Sequence, residues 1–203
     1  MKERIFGHIT GTSVNQVFAD RSELAKSGVH PPTQAGISGA AVEGADSIVL
    51  SGGYEDDEDY GNVIIYTGAG GRDQNTGKQI ADQSLDRVNM ALAKSKIEGL
   101  PVRVTRSHAH DSQYSPDNGY QYSGLYYVDD YWREKGRSGF YVWRYRLVAY
   151  KETLVGSDSI NDKRPEYVTT KRSETTVQRI VRDTRIAKGV KRKHKYQCQV
   201  CGT

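Results

Sequence analysis

Cysteine is almost missing from this chain: there are two in 203 residues, Cys198 and Cys201, both at the extreme C-terminus. That excludes a disulfide framework stapling a domain, and a cytoplasmic setting is the expectation. Long apolar runs are missing as well. None approaches the ~20 residues that a membrane-crossing helix needs, and Met1 is not followed by the apolar core of a secretion signal. Internal repeats are absent. Acidic charge is scarce in one region only: Lys163 to Lys195 holds 12 Lys/Arg against 3 Asp/Glu, leaving 17 basic and 22 acidic residues elsewhere. The net charge of +4 therefore resides in the tail. Bulk attraction cannot bring the body of the chain to a polyanion; a local basic face would be required.

Glycine and tyrosine are plentiful, with 21 and 14 copies, while apolar residues reach only 36%. This balance suits a β-rich domain with many turns better than a helical bundle. Strands are expected at Ser47–Ser51, Asn62–Thr67, Val102–Thr105, Gly124–Tyr131 and Phe140–Ala149, where apolar and β-branched residues cluster between turn signals. Ile80, Leu85, Val88, Ala91 and Leu92 recur at roughly helical spacing, predicting a helix over Gln79–Lys94 that ends before Pro101. The fold class that follows is α+β, with a curved sheet or barrel. Around Gly156–Pro165 the composition turns polar, as in a linker. A further helix is expected over Ser173–Lys188, stopped by Gly189.

Three local patterns invite a chemical reading. The run GGYEDDEDYGN (52–62) packs five acids together. A calcium loop is a poor fit, because Tyr60 stands where the fifth position needs an oxygen ligand. Taken alone, the run reads as a solvated loop, and for Glu55, Asp56, Glu58 and Asp59 that remains the expectation. GAGGRD (68–73) lacks the Gly-Lys-Ser/Thr of a triphosphate loop. His108 and His110 read as exposed loop histidines. No nucleophile–base pair and no metal constellation stands out, which argues against a self-contained enzyme.

The array SGVHPP (27–32), AGISG (35–39), SIVLSGGYEDDEDYGN (47–62), YTGAGGRD (66–73), QSLDRVNMALA (83–93), PVRVTR (101–106), YSGLYYVDDYW (122–132) and EKGRSGFYVWRYRL (134–147) closely resembles the SRA (YDG) domain over residues 6–150. That family reads 5-methylcytosine in duplex DNA by flipping the base out of the helix. The resemblance implies a PUA-like twisted β-barrel or curved sheet with flanking helices. It puts Tyr54 and Tyr66 at the two rings that sandwich the flipped base and Asp57 at the carboxylate meeting its Watson–Crick edge. The chemistry agrees: cytosine offers an N4 donor to a carboxylate, where thymine presents an acceptor. Gly53, Thr67 and Ala69 match positions bordering the base, and glycine there lets backbone approach closely. Ala69 leaves the choice between 5-methyl- and 5-hydroxymethylcytosine open. Gln34 matches the thumb that enters from the other groove, and Arg72, Lys78 and Gln79 complete the expected DNA face. The arginine finger of hemimethylation readers has no counterpart in Gly77-Lys78-Gln79, so hemimethyl preference is not expected.

At the other end, KYQCQVCG resembles the opening of an HNH nuclease domain, in which Cys198 and Cys201 would supply half the ligands of a structural zinc site. The organisation expected is then an SRA domain over 1–150, a basic linker with a helix over 151–190, and the start of an HNH domain over 191–203. The function expected is recognition of modified cytosine that targets a modification-dependent restriction endonuclease; the alternative is a stand-alone reader or regulator. Zinc and a catalytic divalent metal belong only to a complete HNH domain. The chain itself carries neither a histidine nor a carboxylate after Gln197 and is expected not to cleave DNA. Double-stranded DNA is the partner, a membrane is not, and a homodimer is compatible.

Overall fold

The computed structural model describes residues 4–73 and 76–150. Ten elements follow in order: β1 (Val17–Phe18), α1 (Arg21–Ser27), β2 (Ile37–Ala40), β3 (Gly44–Leu50), β4 (Glu58–Asp59), β5 (Val63–Thr67), α2 (Arg87–Glu98), β6 (Val102–Ser107), β7 (Tyr120–Lys135) and β8 (Tyr141–Ala149). The strands form one mixed sheet in the order β2-β3-β6-β7-β8-β5-β4, with β1 attached to β7. The order ends at β2 and β4, so the α+β fold is built on an open, curved sheet and not a closed barrel.

Sequence and burial explain the layout. Every residue of β3 and β6 is buried, and these two strands pair in parallel, as strands covered on both faces do, although both bury polar side chains, Asp46 and Ser47 in β3 and Arg103, Thr105 and Arg106 in β6. β7 is 16 residues long and alternates buried with half-buried residues up to Val128. Its first half pairs with β6 and its second with β8, and each ladder carries a register shift. Such bulges strengthen the twist and bend the strand. The core gathers Ile37, Ile48, Leu50, Ile64, Leu92, Val102, Val104 and Leu147 with the rings of Tyr66, Tyr126 and Tyr145. A smaller cluster of Phe18, Leu24, Val29, Val49 and Tyr122 lies under α1.

The predicted strands are present, but the helix is displaced. α2 starts at Arg87, eight residues later than the apolar spacing implied, with Asp86 as its N-cap and Gly99 closing its end at φ 64°. Residues 79–86 instead serve a tertiary role: Ile80 and Ala81 donate backbone N–H groups to Gly71 O, and Gln83 N donates to Tyr141 O. Ile80 consequently points outward, 58% exposed. α1 has one buried residue, Leu24, and stands on its caps. Asp20 accepts from Glu23 N and the Glu23 carboxylate accepts from Ala19 N, a reciprocal capping pair. Among the described residues no helix is long and apolar enough to cross a membrane. The linker helix over 173–188, the domain limits beyond 150, and Cys198 and Cys201 lie outside the described residues.

Candidate functional site

The acid run and the glycine loop meet at the end of β5. Asp57 Oδ1 accepts from Thr67 N at 2.7 Å, and the Thr67 hydroxyl bonds to the same carboxyl. The Tyr54 hydroxyl accepts from Gly70 N at 3.1 Å. The Asp57 charge acts on the phenols of both Tyr54 and Tyr66, and Tyr54 acts on Tyr66, which puts the three near one another. The GAGG loop is itself held from α2: Asn89 Oδ1 accepts from Ala69 N and Asn89 Nδ2 donates to Ala69 O, each at 2.8 Å. Gln83 Nε2 donates to Gly68 O. Gly71 has to be glycine, since at φ 66° a Cβ would come within 2.2 Å of Ala81 O.

Electrostatics separate the acids of the run. Burial pushes the Asp57 carboxyl up to about 6; the Thr67 bonds and the Arg144 charge oppose that shift only in part. Burial also raises the Tyr54 phenol, and it raises Tyr66 well above the ordinary tyrosine value. Tyr66 is a core residue, 3% exposed, with its hydroxyl donating to Gly36 O at 3.1 Å. A base can stack on that ring only after the groups covering it part. Tyr54 is more open. It borders a cleft of about 430 Å³ lined by Gly53, Arg72, Gly77, Lys78 and Gln79 among others, and the Arg72 guanidinium carbon lies 5.2 Å from its ring centroid.

The remaining acids divide: Glu55 is exposed as expected and Glu58 is partly so, whereas the side chains of Asp56 and Asp59 are buried, contrary to expectation. Asp56 is buried and accepts from Arg137 N at 2.9 Å. Glu55 accepts from the Ser138 hydroxyl, and Glu58 pairs with Arg144. Asp59 takes Arg106 in a two-pronged pair, both bonds 2.8 Å, with Ser112 Oγ and Gly61 N as further donors. The reason is tertiary: β6, β8 and the turn after β7 bring arginines and backbone donors to a segment whose own sequence holds only acids. Only one of the two histidines fits the exposed-loop expectation. His108 is exposed, whereas His110 is buried with Nε2 3.9 Å from Asp59 Oδ2.

Gln34 is exposed on the loop 31–36, which is held at several points. Arg21 donates to Thr33 O at 3.1 Å, Pro32 O at 3.0 Å and Ala35 O. His30 binds Ala35 O through Nε2 and Ser47 Oγ through Nδ1, and burial lowers its pKa to about 4. Gly36 admits the Tyr66 hydroxyl, which a Cβ would meet at 2.7 Å. Arg72 and Lys78 are exposed, consistent with a basic rim. Gln79 differs from the expected DNA-facing role: it is 9% exposed, with its amide donating inward to Gly70 O and Ala81 O. Sequence reasoning also missed Arg144, Arg106 and Asn89. Of these only Asn89 carried a local signal, a polar residue on the buried side of an apolar helix. Among the described residues no group of three or more His, Cys, Asp or Glu is arranged to hold a metal ion.

Comparison with known proteins gives this arrangement a context. The SAD/SRA domain matches residues 5–153. The chain is 45% identical over 163 residues to the E3 ubiquitin-protein ligase UHRF1 of Danio rerio, covering 70% of this chain and 21% of that protein. It thus spans about a fifth of the length of such relatives. Among solved structures it is similar to the modification-dependent TagI restriction endonuclease, with a TM-score of 0.72 and 42% identity over 99% of this chain and 66% of that one. It is also similar to the SUVH5 SRA domain in complex with hemimethylated CG DNA, with a TM-score of 0.61 and 36% identity over 77% of this chain and 99% of that one.

Proposed function

This chain belongs to the SAD/SRA domain family, and from that membership we propose that it binds duplex DNA containing a methylated cytosine and draws the modified base into the space around Tyr54, Asp57 and Tyr66. The observation that carries the reading is the meeting of Asp57 with Thr67 and the two tyrosines at one end of β5. An ionised carboxylate has about four lone-pair sites. Thr67 uses part of that capacity, and the remainder accepts the cytosine N4 amino group. Thymine would set its own acceptor against the carboxylate. Stacking on aromatic rings contributes about 1–3 kcal/mol per base, enough to offset much of the few kcal/mol needed to unstack one. Arg72 and Lys78 contact phosphates, and Gln34 fills the space the base vacates.

The methyl group alone contributes about 0.8 kcal/mol, so discrimination between modifications rests on the fit of the Ala69 wall. We further propose that the domain targets an HNH nuclease, a reading supported by the similarity to TagI and by the Cys198–Cys201 motif. Titrating the chain with duplexes bearing cytosine, 5-methylcytosine or 5-hydroxymethylcytosine at one site tests the first reading. Tighter binding of a modified duplex, lost on Asp57→Ala while salt-dependent binding of plain duplex persists, is expected. Equal preference in the variant and the parent would refute the role of Asp57.

A further inference from the structure

Arg144 lies on β8 directly opposite Thr67 of β5 in the sheet register and is 3% exposed. Its guanidinium reaches both flanks of Asp57. Nη1 donates to Asp56 O and lies 3.5 Å from Thr67 Oγ1. Nη2 donates to Glu58 Oε1 at 2.7 Å. Nε sits 3.2 Å from Glu134 Oε1, an ion pair out of line for a hydrogen bond. One side chain thus holds the residue before Asp57, the residue after it and the residue that donates to it. Only the rigid five-donor fork of arginine can do this.

We propose that Arg144 is a positioning residue for the base-reading carboxylate, fixing Asp57 from both sides and supplying the positive charge that favours its ionised form. The inference rests on the assignment of Asp57 as the base reader. The groups acting on Asp57 are few. Thr67 and Arg144 stabilise its charge, Asp56 opposes it, and the phenols of Tyr54 and Tyr66 stand beside it uncharged. With the carboxyl already at about 6, the ionised form has little margin at neutral pH. Glu58 and Glu134 would turn from partners into uncompensated neighbours once the guanidinium is removed. A buried arginine serving only the packing of β8 would have no reason to influence how base preference varies with pH.

The test measures binding of a duplex carrying one 5-methylcytosine, and of its unmodified counterpart, from pH 5.5 to 8.5 at constant ionic strength. The proteins are the full chain and its Arg144→Gln, Arg144→Lys and Asp57→Asn variants. In the parent, preference for the modified duplex fades as pH falls through about 6. In Arg144→Gln the midpoint moves up by about one pH unit, the shift that roughly 1.4 kcal/mol of lost charge stabilisation gives, so preference at pH 7 falls about twofold and returns toward the parent value at pH 8.5. Plain duplex binding is unchanged in both. Arg144→Lys keeps the charge without the fork, so its midpoint stays near the parent's while its plateau drops. A pH-independent loss in Arg144→Gln, or an unchanged midpoint and plateau, overturns the proposal. If Arg144→Gln fails to fold, an undiminished plateau in Arg144→Lys overturns it equally. Retained preference in Asp57→Asn would sink the underlying assignment instead, which separates the two failures.

Discussion

Asp57 and Asp59 stand two residues apart in one acidic run, and the fold treats them in opposite ways. Burial acts on both. At Asp59 the Arg106 guanidinium, the Gly61 N–H and the Ser112 hydroxyl outweigh it and hold the carboxyl below its ordinary value. At Asp57 burial wins over the bonds from Thr67 and the more distant Arg144, and the carboxyl rises to about 6. Asp59 is tied at both oxygens and ties β4 to β6. Asp57 is left under-compensated, the condition of a group with acceptor capacity in reserve. One charge run therefore contains a structural rivet and an under-compensated carboxyl, and only their partners tell them apart.

The sharpest way to break this comparison is to cut the rivet. Asp59→Ala leaves Arg106 buried without its counter-ion, and loss of about 3–5 kcal/mol is expected by chemical denaturation. A loss well under 1 kcal/mol would mean that Asp59 is solvated after all. The opposite sign is expected next door. Since the Asp57 carboxyl is raised from 3.8 to about 6, the native state binds its proton more tightly than the unfolded chain does. The stability this lends is present below the unfolded value and disappears as pH rises through about 6. Asp57→Asn keeps an acceptor for Thr67 N and removes the buried charge. It should therefore stabilise the protein at pH 7 by roughly 1–3 kcal/mol, with the gain vanishing toward pH 4. Thermal melts across that range check it, and a destabilised variant at pH 7 would show that the carboxylate is well compensated. The smallest effect is expected at Tyr66→Phe. It removes the hydroxyl that donates to Gly36 O, costing about 0.5–1.5 kcal/mol. Faster amide exchange confined to the loop 31–36 would locate the loss.

The same pair shows what the sequence could disclose. SIVLS, VRVT and FYVWRYRLVA announce β3, β6 and β8 because β-branched and aromatic residues crowd each run between turn signals. β1, β2 and β4 are two to four residues long, too short for any period to show. α1 is stabilised by capping with a single buried side chain, which periodicity does not detect. Ile80 imitates a helical position yet faces outward, because residues 79–86 are occupied with the glycine loop. The residues proposed for the base pocket were nominated by their surrounding words, YEDD and YTGAGG. The partners that give each acid its character were not: Arg106 and Arg144 arrive from strands far along the chain, and nothing local marks a charge run as paired.

The parallel pairing of β3 with β6 has a consequence for how the chain comes into being. β3 can form a hairpin with β2 as soon as it emerges, but Val49 has to await Thr105, its partner on the other side. At a synthesis rate of about 5–20 residues per second, that partner appears several seconds later, after β4, β5 and α2 have been made. Throughout that interval a strand that is buried along its whole length in the finished protein offers an unpaired edge. The nascent chain thus has a window in which self-association competes with folding, and it closes only when Ser107 has left the ribosome and β6 docks.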